Sequence, residues 1–250
     1  MDKVKSILVS QPKPEGDKSP YFDLAQKHNL KIDFRPFIHV EGVDAKEFRT
    51  QRINILDHTA VILTSKNAAD HFFRICDETR VTVPEGMKYF CVSEAIALYL
   101  QKYVVYRKRK IFYGGNTFRE LVDVLKKHKG ENFLLPSIND LKPTVPQLLD
   151  DLGVSYTKAV IYKTMCSDLS DLADVNYDVL VFYSPSGIKS LFENFPDFKQ
   201  NKTRIAAFGP TTTHAVKEKH LKLDIGAPVP SAPSMTMALD QYIQQANKKK

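Results

Sequence analysis

The chain states one pattern twice. Ala60-Val61-Ile62-Leu63-Thr64-Ser65-Lys66-Asn67-Ala68 and Asp178-Val179-Leu180-Val181-Phe182-Tyr183-Ser184-Pro185-Ser186-Gly187 each read as a buried strand that breaks at a serine and enters a helix. Upstream, a strand ending at Ser10 answers one ending at Ser137; downstream, Phe90-Cys91-Val92-Ser93 answers Ala206-Ala207-Phe208-Gly209. A half-chain repeat of strand, polar loop and helix predicts two similar α/β lobes whose loops converge on something lying between them.

Composition sets limits on that picture. With 250 residues, 43% hydrophobic and 26% charged, the chain can build two units of about 120 residues with cores that need no staples. Three cysteines, Cys76, Cys91 and Cys166, are odd in number and lack metal-type spacing, which points to a reducing compartment. Met1-Asp2-Lys3-Val4-Lys5 leads straight into a short strand rather than a signal peptide's apolar region, and no apolar run approaches the roughly 20 residues of a membrane span. The expectation is a cytoplasmic protein with no membrane partner. The formal charge of +7 is partly local, in Arg107-Lys108-Arg109-Lys110 and a frayed tail of Lys248, Lys249 and Lys250. A basic balance suits an anionic partner. It does not suit nucleic acid here, because stacking aromatics are not interleaved and no zinc-finger or RNA-binding signature accompanies the charge.

Hydrophobic periodicity predicts strands alternating with helices, hence parallel sheets with helices on both faces. Ser19 and Pro20 open a helix to His28, residues 44–57 form a helix with Phe48, Ile53 and Leu56 inward, and Ala68, Phe72 and Ile75 line the helix after Ser65. Val104-Val105-Tyr106 and Lys110 to Tyr113 read as a strand and its continuation or neighbour, and Gly153 stops a helix that begins near Val145. Two extended segments, Lys31 to Val40 and Tyr156 to Thr164, follow equivalent helices and can pair as a two-stranded connector. Lobe one is then discontinuous, 1–35 plus 165–250, lobe two is 44–155, and 36–43 with 156–164 form the ladder.

In open α/β sheets ligands bind beyond the carboxyl ends of the strands. The loops there are Thr64-Ser65-Lys66-Asn67, Ser93-Glu94, Ser184-Pro185-Ser186-Gly187 and Gly209-Pro210-Thr211-Thr212-Thr213. All carry hydroxyls and helix-start amides, which can hold carboxylates or phosphates. Helix capping accounts for any one of them, but four in duplicated positions point to binding. Dinucleotide and triphosphate glycine motifs and a Gly-x-Ser-x-Gly elbow are missing from the sequence, and the seven histidines show no metal spacing. They read as surface or boundary residues. Tyr162 stands out, because it lies in the connector, where a hinge would face the cleft and a phenol can donate a proton to a leaving group. The same ring also suits an amphipathic strand residue with a wet hydroxyl.

These residues resemble a family, the uroporphyrinogen-III synthases, over nearly the whole chain. Val61 to Ala68 resembles its strand plus Thr-Ser motif, Val181 to Ile188 its Phe-x-Ser-Pro-Ser-Gly motif, and Ile205 to Thr212 its Ile-Gly-x-x-Thr motif. Val160-Ile161-Tyr162-Lys163-Thr164 is similar to its Val-Tyr-x-Thr segment, and the Pro-Ser-Met at Met235 to the start of its last helix. The resemblance implies two α/β lobes joined by a β ladder, with the site in the cleft between them. It implies a cyclising hydro-lyase that converts hydroxymethylbilane into uroporphyrinogen III with inversion of the last ring, as a monomer without cofactor or metal. Loss of hydroxide from the first ring gives an azafulvene, attack by the substituted position of the last ring gives a spiro intermediate, and fragmentation with reclosure reverses that ring. Tyr162 matches the family tyrosine proposed as the acid. Thr64, Ser65, Lys66, Asn67, Ser93, Ser184, Ser186, Gly187, Pro210, Thr211 and Thr212 are the implied substrate contacts.

The chain departs from the family pattern in two places. Ser10-Gln11-Pro12 replaces Thr-Arg-Pro, and Ser93 with Ile96 stands where a Gly and a Thr are usual, leaving Thr212 as the equivalent in the other lobe. A non-catalytic two-lobed binder of a tetrapyrrole or another polyanion is the competing reading, favoured by Ile96 and opposed by Tyr162. A general interaction protein, with loops that share no cleft, is a third.

Overall fold

The computed structural model describes residues 3–16, 18–173 and 176–248. Met1, Asp2, Lys249 and Lys250, which entered the readings of both termini, lie outside them. The chain begins β1 (Ser6–Val9), α1 (Pro20–His28), β2 (Lys31–Phe34) and β3 (Ile38–Gly42). It continues α2 (Ala45–Thr50), β4 (Ala60–Leu63), α3 (Lys66–Thr79), β5 (Lys88–Cys91), α4 (Glu94–Tyr99) and β6 (Ile111–Tyr113). Next come α5 (Phe118–Leu125), β7 (Asn132–Ile138), α6 (Thr144–Leu152) and β8 (Ser155–Cys166). The last stretch is β9 (Val179–Phe182), α7 (Pro185–Asn194), β10 (Arg204–Phe208), α8 (Pro210–Glu218), β11 (Leu223–Ala227) and α9 (Met235–Lys248).

Two compact units result, Met1–His39 with Met165–Lys250, and Val40–Thr164. The first carries a sheet in the order β11-β10-β9-β1-β2 and the second one in the order β3-β8-β7-β4-β5-β6. Leaving β3 aside, β11, β10, β9, β1 and β2 hold the places of β6, β5, β4, β7 and β8. The sequence repeat is therefore a repeat of sheet position: the Ser184 and Ser65 strands are central, flanked by the Ser10 and Ser137 strands on one side and the Gly209 and Ser93 strands on the other. Both ladders are parallel along these pairs. The first unit has the 2-1-3-4-5 strand order of a doubly wound sheet.

The faces of β4 show how the second unit is layered. Ala60 and Ile62 pack with Leu121, Leu125, Leu149 and Leu152 of α5 and α6. Val61 and Leu63 pack with Ala68, Phe72 and Ile75 of α3. Period-two alternation in the strand meets helices on both sides, and each fully buried aliphatic or aromatic side chain contributes about 1.5–3 kcal/mol. In the first unit Val179 and Val181 face Leu24, Leu239 and Ile243, while Leu180 and Phe182 face Ile188, Leu191 and Val216. Helix ends follow local chemistry. The Ser19 side chain caps α1 with Pro20 at its first position, Thr117 and Glu120 form a reciprocal capping box on α5, and Gly153 closes α6 in the left-handed region.

Three local expectations are corrected. The helix expected over 44–57 stops at Thr50, because Arg52 turns to positive φ, and a short 3-10 turn at Ile55–Asp57 buries Ile55 and leaves Leu56 51% exposed. Val104 to Tyr106 is not a strand. The outer edge of β5 is taken by β6, so this stretch finds no partner and Val105 is 77% exposed. The segment Lys31 to Val40 is divided at Arg35-Pro36: β2 joins β1 in the first unit, and only β3 lies beside β8. Strand β3 is the edge strand of the six-stranded sheet and β8 lies between it and β7, so the two-stranded pair expected over 36–43 and 156–164 is present as part of that sheet. Among the described residues no helix is long and apolar enough to cross a membrane.

Candidate active site

Tyr162 lies where β8 runs out past β7. The parallel register pairs Ser137 with Val160 and then Ile138 with Tyr162, so Ile161 is an extra residue in a β-bulge. A bulge breaks the alternation of faces and re-aims the next side chain. Here Ile161 and Tyr162 are both buried, and Tyr162, 7% exposed, joins the cluster that α3 covers.

The backbone around the bulge is fixed from several directions. Gln51 pairs with Val160 through its side-chain amide, accepting from the Val160 N–H at 2.9 Å and donating to its carbonyl at 2.7 Å. The Ile161 carbonyl accepts from the Val43 N–H at 2.9 Å and from Arg74 Nη2 at 3.1 Å. The Tyr162 carbonyl accepts from the Asn139 N–H at 3.1 Å, and Asn139 Oδ1 accepts from the Thr164 N–H at 3.2 Å. Among the described residues the Tyr162 hydroxyl has no hydrogen-bond partner.

His71 of α3 covers the tyrosine ring, with centroids 5.2 Å apart and planes inclined at 16°. Its Nδ1 accepts from Arg74 Nε at 3.1 Å. Arginine has only donors, so the imidazole is the neutral tautomer carrying its proton on Nε2. Burial, and then the Arg74 guanidinium, hold the imidazole below its usual value despite the nearby Asp70 and Glu78 carboxylates. The sequence places His71 among surface or boundary histidines, which its intermediate burial fits, but does not single out its role or that of Arg74. A signal was present: Asn67, His71, Arg74 and Glu78 form a polar stripe at helical spacing beside the apolar face of Ala68, Phe72 and Ile75.

The strand-end residues of the second unit surround the start of α3. Ser65 is its N-cap, with Oγ accepting from the Ala68 N–H at 3.0 Å, while Lys66 and Asn67 are exposed and Thr64 is half-buried. Lys66 Nζ sits 5.2 Å from the centroid of the Tyr99 ring. Tyr99 in turn donates to Asp70, as do Tyr103 and Lys102, so α4 and its extension are tied to α3 through one carboxylate. Ser93 opens α4 without a side-chain capping bond. Ile96, 8% exposed, is part of the apolar cluster, and its counterpart Thr212 is 1% exposed on α8. Both residues occupy an inward-facing place in the first turn, so a threonine there is not needed to present a hydroxyl.

In the first unit Ser184 caps α7, its Oγ accepting from the Gly187 N–H at 3.2 Å. Gly187 is buried, with Ser10 Oγ 3.6 Å from the place its Cβ would take, so the β1 and β9 ends meet at the point where the strand order reverses. Ser186 is half-buried, and Pro210 and Thr211 are exposed at the start of α8, which Gly209 enters at φ 86°. Thr213 N–H returns to the Gly209 carbonyl, leaving the Thr211 and Thr212 amides as the unpaired first-turn donors. The apolar cavity of this unit, about 450 Å³ between Leu8, Phe37, Tyr177, Leu191 and Phe198, contains none of these residues. Among the described residues no group of three His, Cys, Asp or Glu side chains is placed to hold a metal.

Duplicated five-strand order with hydroxyl-bearing helix starts at the strand ends defines a two-unit α/β protein. Solved structures share this fold. A uroporphyrinogen-III synthetase from Helicobacter pylori matches with a TM-score of 0.59 at 17% identity, covering 96% of this chain and 99% of that one. A mutant uroporphyrinogen III synthase from Thermus thermophilus matches with a TM-score of 0.52 at 14% identity, covering 96% and 99%. In sequence, the uroporphyrinogen-III synthase of Chlorobaculum parvum is 24% identical over 260 residues, spanning 96% of this chain and all of that protein. Residues 20–237 match the family model described as Uroporphyrinogen-III synthase HemD. The chain belongs to the uroporphyrinogen-III synthase family. It is an enzyme of porphyrin and haem biosynthesis, and the family supports this reading over the non-catalytic binder.

Proposed function

We propose that the chain cyclises hydroxymethylbilane through Tyr162, with strand-end loops holding the substrate's carboxylates. The observation that carries this reading is the Tyr162 phenol: its ring and backbone are clamped, yet its hydroxyl has no partner among the described residues. Such a group is held ready for a bond to something that is not protein.

In the step proposed, the C–O bond of the hydroxymethyl group breaks as the phenol proton passes to the leaving oxygen, and water departs. The first pyrrole supplies the electron pair and becomes an azafulvenium. The substituted carbon of the last ring attacks it, and the spiro intermediate fragments and recloses with that ring reversed. The proton lost as the last ring regains aromaticity returns to the phenolate, so the enzyme ends as it began. The protein's share is to hold the two chain ends together and assist departure of water.

Amides and hydroxyls suit carboxylates at the starts of α3, α7 and α8, with Lys66 adding positive charge. Thr64, Ser65, Lys66, Asn67, Ser93, Ser184, Ser186, Gly187, Pro210, Thr211 and the Thr212 amide are the contacts proposed. A monomer in the cytoplasm fits the free thiols Cys76 and Cys91, which burial pushes up to about 12 and makes unreactive. The test is Tyr162→Phe, which removes one oxygen that no described residue bonds. Turnover should fall about 100-fold with the melting temperature unchanged; unchanged turnover removes Tyr162 from the reaction.

A further inference from the structure

No hydrogen bond from the described residues aims the Tyr162 hydroxyl. A phenol without a hydrogen bond points wherever its ring is held, so the walls of the ring decide the direction of proton delivery. One wall is His71, nearly parallel at 16° and 5.2 Å between centroids. The imidazole is held by Arg74 Nε at Nδ1, and Arg74 is itself held by the Val43 carbonyl at 2.8 Å, the Ile161 carbonyl at 3.1 Å and Glu78. Ile161 is the bulge residue that precedes Tyr162. The contacts therefore close a circuit: one guanidinium grips the backbone that carries the tyrosine and the imidazole that backs its ring.

We infer that His71 is a positioning residue for the reaction, its plane set by Arg74 and in turn setting where the Tyr162 hydroxyl points. This rests on the reading of Tyr162 as the proton donor. The imidazole acts as a rigid aromatic plane. A core histidine of no functional weight would be exchanged at a cost in stability alone. A positioning histidine changes turnover through Tyr162, because misplacement of a reacting group by about 1 Å can cost on the order of 100-fold in rate.

The experiment uses the full chain with saturating hydroxymethylbilane and follows uroporphyrinogen III formation, with thermal melting of each variant alongside. His71→Leu keeps the bulk and removes the plane; kcat should fall about 10-fold or more with KM within about twofold. His71→Phe restores a plane and should recover most of that loss. In Tyr162→Phe the further change His71→Leu should cost nothing more, since the group being positioned is gone. Full activity in His71→Leu, equal losses in the Leu and Phe variants, or the same fractional loss with and without the Tyr162 hydroxyl would each overturn the inference. The two readings fail separately: a fully active Tyr162→Phe removes both, whereas an impaired Tyr162→Phe beside a fully active His71→Leu removes only the role of His71. Should His71→Leu fail to fold, the Phe variant decides, because loss of turnover there in a folded protein contradicts the role given to the plane.

Discussion

The guanidinium of Arg74 occupies the space that a side chain at Gly42 would fill, with Cζ and Nη2 both 2.6 Å from the position of a Cβ there. Gly42 ends β3 beside β8, so the smallest residue stands where the chain passes into the second unit and an arginine from α3 reaches the bulge.

Gly42→Ala should therefore push Arg74 off the Val43 and Ile161 carbonyls, which it reaches at 2.8 and 3.1 Å. Two charge-assisted bonds would be lost or weakened at a cost of about 1–3 kcal/mol, offset in part by the flexibility of the arginine. Denaturant melting should record that loss, and kcat should drop, as it should for Arg74→Ala. An alanine variant with unchanged stability and rate would show that the guanidinium moves without consequence.

Capping and binding can be separated at Ser65 and Ser184, whose hydroxyls accept from the Ala68 and Gly187 amides at 3.0 and 3.2 Å. Ser→Ala at either place should cost about 1 kcal/mol of stability. Ser184→Asp keeps a good cap but sets a carboxylate against an anionic substrate, so melting should hold while KM rises severalfold. An unchanged KM would leave Ser184 as a cap and nothing else.

At Ile96 the usual family threonine would be buried in an apolar cluster. Ile96→Thr should cost about 1–3 kcal/mol, from lost packing and a hydroxyl taken out of water, with no gain in kcat. A rise in turnover would mean that the hydroxyl reaches substrate after all.

Acid should destabilise the protein in two stages. Burial first, and then Arg74 for His71 and Lys88 for His128, hold both imidazoles below the usual histidine value. The unfolded chain binds protons more readily, so their stabilisation is complete above about pH 6.5 and is lost as pH falls through the lower folded values. Asp240 follows: burial alone would raise it, but hydrogen bonds from His28, Lys27 and Gln244 outweigh that and bring it down to about 2. Its contribution is present above about pH 3.9 and is lost on approach to pH 2. Melting temperatures from pH 8 to about pH 2 should fall in these windows. The double variant His71→Gln with His128→Gln should flatten the first, and an unaltered first slope would contradict the assignment.

Much of the fold was legible because strand and helix periods were clean and the repeat gave each strand a counterpart. Ala68, Phe72 and Ile75 mark the buried face of α3 by spacing alone. Arg52 was not legible, since no local pattern demands positive φ from an arginine, and Leu56 was read inward because the helix was carried past it. Tyr162 was legible as a residue but its surroundings were not. A bulge depends on register between β7 and β8, and the approach of His71 and Arg74 joins residues about 90 positions apart in sequence. The polar stripe on α3 could announce those two residues, but only the packing of α3 onto the sheet gives it a partner.

The most direct test is to supply hydroxymethylbilane to the purified chain and resolve the cyclic products by isomer. Uroporphyrinogen III should dominate, the last ring having been inverted. Dominance of isomer I, the product of closure without inversion that forms in the absence of enzyme, would contradict it.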